Sequence, residues 1–88
     1  MKDGLAPTQS AVFDRVHTLL CDLLLWESLP ADYDLGNSGV FNSAKFLELF
    51  VALETEFDIS ITGADIKQDT FRTLNSITRF VCAKQAVA

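Results

Sequence analysis

The run Leu47-Glu48-Leu49-Phe50-Val51-Ala52-Leu53-Glu54-Thr55-Glu56-Phe57 decides the fold. Leu49, Phe50, Leu53 and Phe57 recur in steps of three and four, Phe46 extends the stripe backward, and Lys45, Glu48, Glu54 and Glu56 fall between them. That is the period of an α-helix with one apolar face. No Gly or Pro interrupts it back to Ser43, so the pattern predicts a helix over Ser43–Phe57, with Asn42 or Ser43 as its N-cap.

Upstream of this helix, Ala31 to Asn42 is rich in Asp, Tyr, Gly, Asn and Ser and reads as a long loop pinned by Tyr33, Leu35, Val40 and Phe41. A loop of that length in a small domain is often functional. Before it, Val12, Val16, Leu19, Leu23 and Trp26 mark one face of a long first helix, widened by Phe13, Leu20 and Leu24. Thr8 and Ser10 are its candidate N-caps, and Leu29-Pro30 its stop. Downstream, Ile59-Ser60-Ile61 is too short to make a sheet and reads as a connector. A short helix is expected over Ala64 to Gln68, and Thr73 is placed to cap a last one carrying Leu74, Ile77, Phe80 and Val81. The predicted fold is all-α, a small antiparallel bundle of three main helices plus one short helix.

Length and charge narrow the function. With 88 residues the chain is expected to form a single domain over 1–88, with a helical core from about 8 to 84 and flexible termini. A multi-step active site would be hard to fit, and no enzymatic activity is expected. The net charge of -5 disfavours nucleic acid and anionic lipid and points to basic protein partners. Met1-Lys2-Asp3-Gly4 begins no apolar signal segment, and Leu19 to Trp26 is short and broken by Asp22, so the expectation is a cytoplasmic monomer without membrane insertion.

Most chemistry-bearing groups have ordinary structural readings. Cys21 and Cys82 have no CxxC partner, and with the single His17 they make no metal-ligand spacing, so both are expected as buried free thiols. His17 lies one turn from Asp14 and one from Cys21, a spacing able to activate a thiol, but a cysteine on so apolar a helix usually packs. Asp32, Asp34 and Gly36 hint at a calcium loop; the positions that would need glycine and glutamate hold Asn37 and Ser43, which leaves a solvated acidic loop. Gly36 and Gly39 lack the lysine of a phosphate cradle.

The junction Gly39-Val40-Phe41-Asn42-Ser43-Ala44 is different, because it places a hydroxyl at a helix N-terminus beside a loop. The helix that follows resembles the second helix of acyl carrier proteins, where V-E-L-x-x-A-L-E-x-E-F stands at the same offset from the serine of a D-S-L motif. Two apolar residues between Gly39 and Asn42 are similar to the G-L-L-D-S form of D-alanyl carrier proteins. Phe71-Arg72-Thr73-Leu74-Asn75-Ser76-Ile77 resembles the opening of the last helix in stand-alone carriers. The likeness runs from about Val12 to Lys84, with two departures: Asn42 stands where the motif usually has aspartate, and Ala44 where it has leucine or methionine.

The resemblance implies that Ser43 receives 4′-phosphopantetheine from coenzyme A and that the arm holds an acyl or aminoacyl group as a thioester, with Asn42 as the motif residue before the acceptor. It implies a partner-docking face of Ala44, Leu47, Glu48, Val51, Glu54 and Thr55. The implied partners are a phosphopantetheinyl transferase, an acyl- or aminoacyl-adenylate-forming ligase and downstream acyltransferases or synthases, in fatty acid biosynthesis or related polyketide, peptide or aminoacyl metabolism. The rival expectation is an unmodified carrier-like subunit that binds partners through its acidic second helix.

Overall fold

The computed structural model describes residues 7–36, 39, 42–67 and 69–87, except for the side chains of Pro7, Thr8, Ser43 and Val87. Among the described residues there are three helices, α1 (Pro7–Leu24), α2 (Ser43–Phe57) and α3 (Leu74–Val87), with one 3₁₀ turn at Gly63–Asp65 between the last two. Val40 and Phe41, expected to pin the loop, lie outside the described residues. α1 packs most extensively on α3, and the α2–α3 pair is the least packed of the three.

The helix ends show which local forces set them. α1 begins at Pro7, whose missing N–H and fixed φ suit a first helical turn, so Thr8 and Ser10 lie inside the helix rather than capping it. It also stops at Leu24, short of Trp26 and well before Pro30. Leu25 takes a left-handed φ of 59°, and the Trp26 N–H donates to the Cys21 carbonyl at 3.0 Å, a six-to-one closure of the last turn. Trp26 is thereby turned onto Tyr33 of the loop, edge to face at 5.4 Å, and Leu25 is left exposed.

α2 spans the predicted residues, and Asn42 is its N-cap, with Oδ1 accepting the Lys45 N–H at 2.9 Å. α3 is capped by Thr73 with Ser76: the Thr73 hydroxyl accepts the Ser76 N–H and the Ser76 hydroxyl accepts the Thr73 N–H, each at 3.0 Å. The short helix expected over Ala64–Gln68 is instead the three-residue turn Gly63–Asp65, and Gln68 lies outside the described residues. Asp65 ends it early by accepting from the Thr62 N–H at 2.9 Å and the Lys84 ammonium at 2.6 Å, while Ile66 is already extended. The Lys84 contact, followed by the Thr62 N–H, holds the Asp65 carboxyl below its usual range.

The core joins Val12, Val16 and Leu20 of α1, Leu49, Leu53 and Phe57 of α2, and Leu74, Ile77 and Val81 of α3. Leu29 and Leu35 reach it from the loop and Phe71 from the segment before α3. Cys21 is buried, whereas Cys82, also expected to be buried, is partly exposed; both are free. Burial raises the pKa of both thiols, and Asp22 adds to it for Cys21. His17 Nε2 accepts the Leu29 N–H at 3.2 Å and lies 3.7 Å from the Cys21 sulfur, whose pKa is raised rather than lowered. The imidazole therefore ties the start of the loop to α1.

Candidate functional site

The loop is fastened to the approach of α3 before it reaches the start of α2. Leu35 N–H donates to the Arg72 carbonyl at 2.7 Å, and Asn75 N–H to the Ala31 carbonyl at 3.1 Å. Asp34, read as part of a solvated acidic loop, instead accepts from both Nε and Nη2 of Arg72, at 3.0 and 2.9 Å. This pairing raises the Arg72 pKa. The chain then enters α2 with Asn42 as cap and Ser43 as the first helical residue. The Ser43 hydroxyl itself lies outside the described side chains.

Ser43 opens a stripe. Phe46, Leu47 and Phe50 stand three, four and seven residues on, the spacing of one helix face. All three line a groove of about 530 Å³ completed by Gly36, Ile66, Lys67 and Phe71. The Phe50 ring lies 4.8 Å from that of Phe71 and 6.1 Å from that of Phe46, so the floor is aromatic. Leu47 and Ile66 are exposed along it. Phe46 and Phe50 were legible only as core; Gly36, Ile66, Lys67 and Phe71 carried no signal linking them to it.

Of the residues expected on the docking face, Ala44, Leu47, Glu48, Val51 and Thr55 are exposed, Leu47 and Val51 by 62% and 63%. Leu23 of α1 joins Leu47, Glu48, Val51 and Ala52 around a shallow apolar concavity. Lys45, not among the expected residues, donates to the Leu23 carbonyl at 3.2 Å and lies 3.5 Å from Glu48, bridging the end of α1 to α2. Its signal in the sequence was a lone cation three residues before a glutamate.

Glu54 differs from the rest: it is half-buried, and its carboxylate accepts the Ile61 N–H at 2.8 Å. It holds the connector after α2, so charge reversal there acts on the fold. Glu54→Lys should lower the unfolding free energy by about 1–2 kcal/mol. Glu48→Lys, at an exposed position, should stay within about 0.5 kcal/mol. Urea unfolding of the two variants checks this; equal costs would mean that the Ile61 contact contributes nothing.

Among the described residues, no helix is long and apolar enough to cross a membrane, and no three His, Cys, Asp or Glu side chains are grouped to hold a metal ion. The family model described as phosphopantetheine attachment site matches residues 14–81. A holo acyl carrier protein from Nitrosomonas europaea, solved in solution by NMR, is 32% identical. The match covers 84% of this chain and 95% of that one, with a TM-score of 0.71. No curated protein matches the sequence.

Proposed function

The chain belongs to the acyl carrier proteins, non-enzymatic carriers whose cofactor is covalent 4′-phosphopantetheine, and from that premise we propose that Ser43 is the attachment residue and that the cargo is an apolar acyl group. The observation that carries this reading is the stripe that starts at Ser43 and becomes the groove within one turn. The residues present suit the group. A phosphodiester on Ser43 would lie at the positive end of a 15-residue helix, where unpaired N–H groups and about half a unit of charge favour an anion. When attached, the arm supplies the thiol that forms the thioester.

The groove favours an acyl over an aminoacyl cargo. Among the described residues, its one charged lining residue is Lys67 and none of the lining residues is a carboxylate. An ammonium group would lose hydration there without gaining a partner, whereas a hydrocarbon chain gains about 25 cal/mol for each Å² removed from water. Leu47, Val51 and Glu48 offer partner enzymes an apolar centre with an acidic edge, to be met by a phosphopantetheinyl transferase and then by an acyl-adenylate-forming ligase or a synthase. Intact mass after incubation with a transferase and coenzyme A tests the reading: one arm per chain is expected, and an unmodified chain would return the rival reading of a carrier-like interaction subunit.

Asn42 offers a further test. Asparagine and aspartate cap about equally well, so Asn42→Asp should keep the bond from the Lys45 N–H and leave melting unchanged or slightly raised, by no more than about 1 kcal/mol. A transferase adapted to the aspartate motif should modify the variant faster, most visibly at low ionic strength. The initial rate of the mass shift at two salt concentrations decides; equal or slower modification would mean that Asn42 is neutral or matched to a dedicated transferase.

A further inference from the structure

Ile66 and Lys67, which line the groove, belong to a strap without a core anchor. Between the buried Phe57 and Phe71, none of the described residues 58–67, 69 and 70 is buried, although Ile59 and Ile61 pack partly against the core. The backbone bonds of its second half are local, from the N–H of Asp65 to Thr62, of Ile66 to Gly63 and of Thr70 to Lys67. A segment with exposed backbone bonds and few buried apolar contacts opens more readily than the helices beside it. Two helix side chains tie this one down. Glu54 of α2 accepts the Ile61 N–H, well before the groove, and Lys84 of α3 reaches Asp65, the residue directly before Ile66.

The Lys84 tie joins this wall to the floor of the groove. Asp65 Oδ2 accepts from the Thr62 N–H at 2.9 Å, the Thr62 hydroxyl at 3.0 Å and the Lys84 ammonium at 2.6 Å, so one oxygen both closes the 3₁₀ turn and fastens it to α3. The side chains of Lys84 and Asp65 are only 27% and 22% exposed, which shields the pair better than an open surface would. The same ammonium lies 5.8 Å from the centre of the Phe80 ring; Phe80 meets Phe71 edge on at 5.1 Å, and Phe71 continues to Phe50 in the floor. We propose that Lys84 is the latch that holds the Ile66–Lys67 wall in place beside this floor, so that the groove keeps an apolar acyl chain out of water. The inference rests on the reading that the groove receives the thioester-bound cargo. Lys84 is not itself a lining residue, so it is a positioning residue that acts through Asp65 and Ile66.

The latch can be opened without removing a core residue. Lys84→Met keeps an apolar stem beside Phe80 and loses the charge, and Asp65→Asn keeps an oxygen for the Thr62 N–H. Loss of such a pair changes an equilibrium by about two- to fivefold. Amide hydrogen exchange on the holo-protein without cargo should quicken by that factor at Thr62 and Ile66 in both variants, while the amides of α2 exchange as in wild type. The same holo-proteins are then loaded with acetyl or octanoyl thioester and cleaved by hydroxylamine. Wild type should protect the octanoyl form over the acetyl form. Both variants should cleave the octanoyl form about two- to fivefold faster and the acetyl form at the wild-type rate, and Lys84→Arg should match wild type in both measurements. In variants with wild-type circular dichroism, unchanged exchange, an unchanged ratio of the two cleavage rates, or equal acceleration of both thioesters overturns the latch. A wild type that loses both thioesters at one rate overturns the cargo groove instead, and the exchange data then decide by themselves whether Lys84 holds the wall.

Discussion

Ser43→Ala is expected to carry no phosphopantetheine at any incubation time, while Ser38→Ala and Ser76→Ala take up one arm as wild type does. The loss will not come from misfolding, because Asn42 rather than Ser43 supplies the cap and alanine is the best helix former for the first turn. Ser76 is spoken for: its hydroxyl accepts from the Thr73 N–H and donates to the Thr73 carbonyl at 2.9 Å. Removing it should weaken the start of α3 by about 0.5–2 kcal/mol without touching modification. Ser38 has no apolar helical stripe at the offset that follows Ser43. Intact mass and far-ultraviolet circular dichroism of the three variants separate these effects. An adduct on Ser43→Ala would move the attachment site elsewhere.

What was legible in the sequence follows the range of the forces involved. α2 could be read from residue to residue because its period, its cap and its freedom from Gly and Pro are local properties. Thr73 was legible as a cap for the same reason. The end of α1 was not, because it depends on a bargain between distant groups: Leu25 accepts a left-handed backbone so that Trp26 meets Tyr33 and Lys45 reaches the Leu23 carbonyl. The short helix failed similarly, with Asp65 drawn to Thr62 and to Lys84, nineteen positions on in sequence.

The site divides along the same line. The proposed acceptor position and the exposed residues Leu47, Glu48 and Val51 follow from the register of a single helix. The groove does not, since four of its seven described lining residues, Gly36, Ile66, Lys67 and Phe71, lie outside α2, and the fold sets them beside Phe46 and Phe50. Asp34 reads from the sequence as a solvated acid and Glu54 as a docking residue; each is a fastening, to Arg72 and to the Ile61 N–H. In a chain with an excess of carboxylates, the pattern of charges along the sequence does not reveal which of them have a partner at long range.

Leu35→Ala should be among the most damaging single changes outside the helices, lowering the unfolding free energy by about 2–5 kcal/mol. The side chain is fully buried, and among the described residues of its loop only Leu29 is buried as well, with Trp26 and Tyr33 packed partly against the core. Truncation loses transfer energy and leaves a cavity, because the bond from its N–H to the Arg72 carbonyl and the neighbouring Asp34–Arg72 pair keep the backbone from closing in. Arg72→Ala, by contrast, removes a half-exposed ion pair and should cost no more than about 1 kcal/mol. Domains of this kind are stable by only about 5–15 kcal/mol, so the leucine carries a large share and the ion pair a small one. Urea unfolding measures both, and the midpoint should fall steeply for Leu35→Ala with little change in slope. A cost below about 1 kcal/mol for Leu35→Ala would mean that the loop opens independently of the helices.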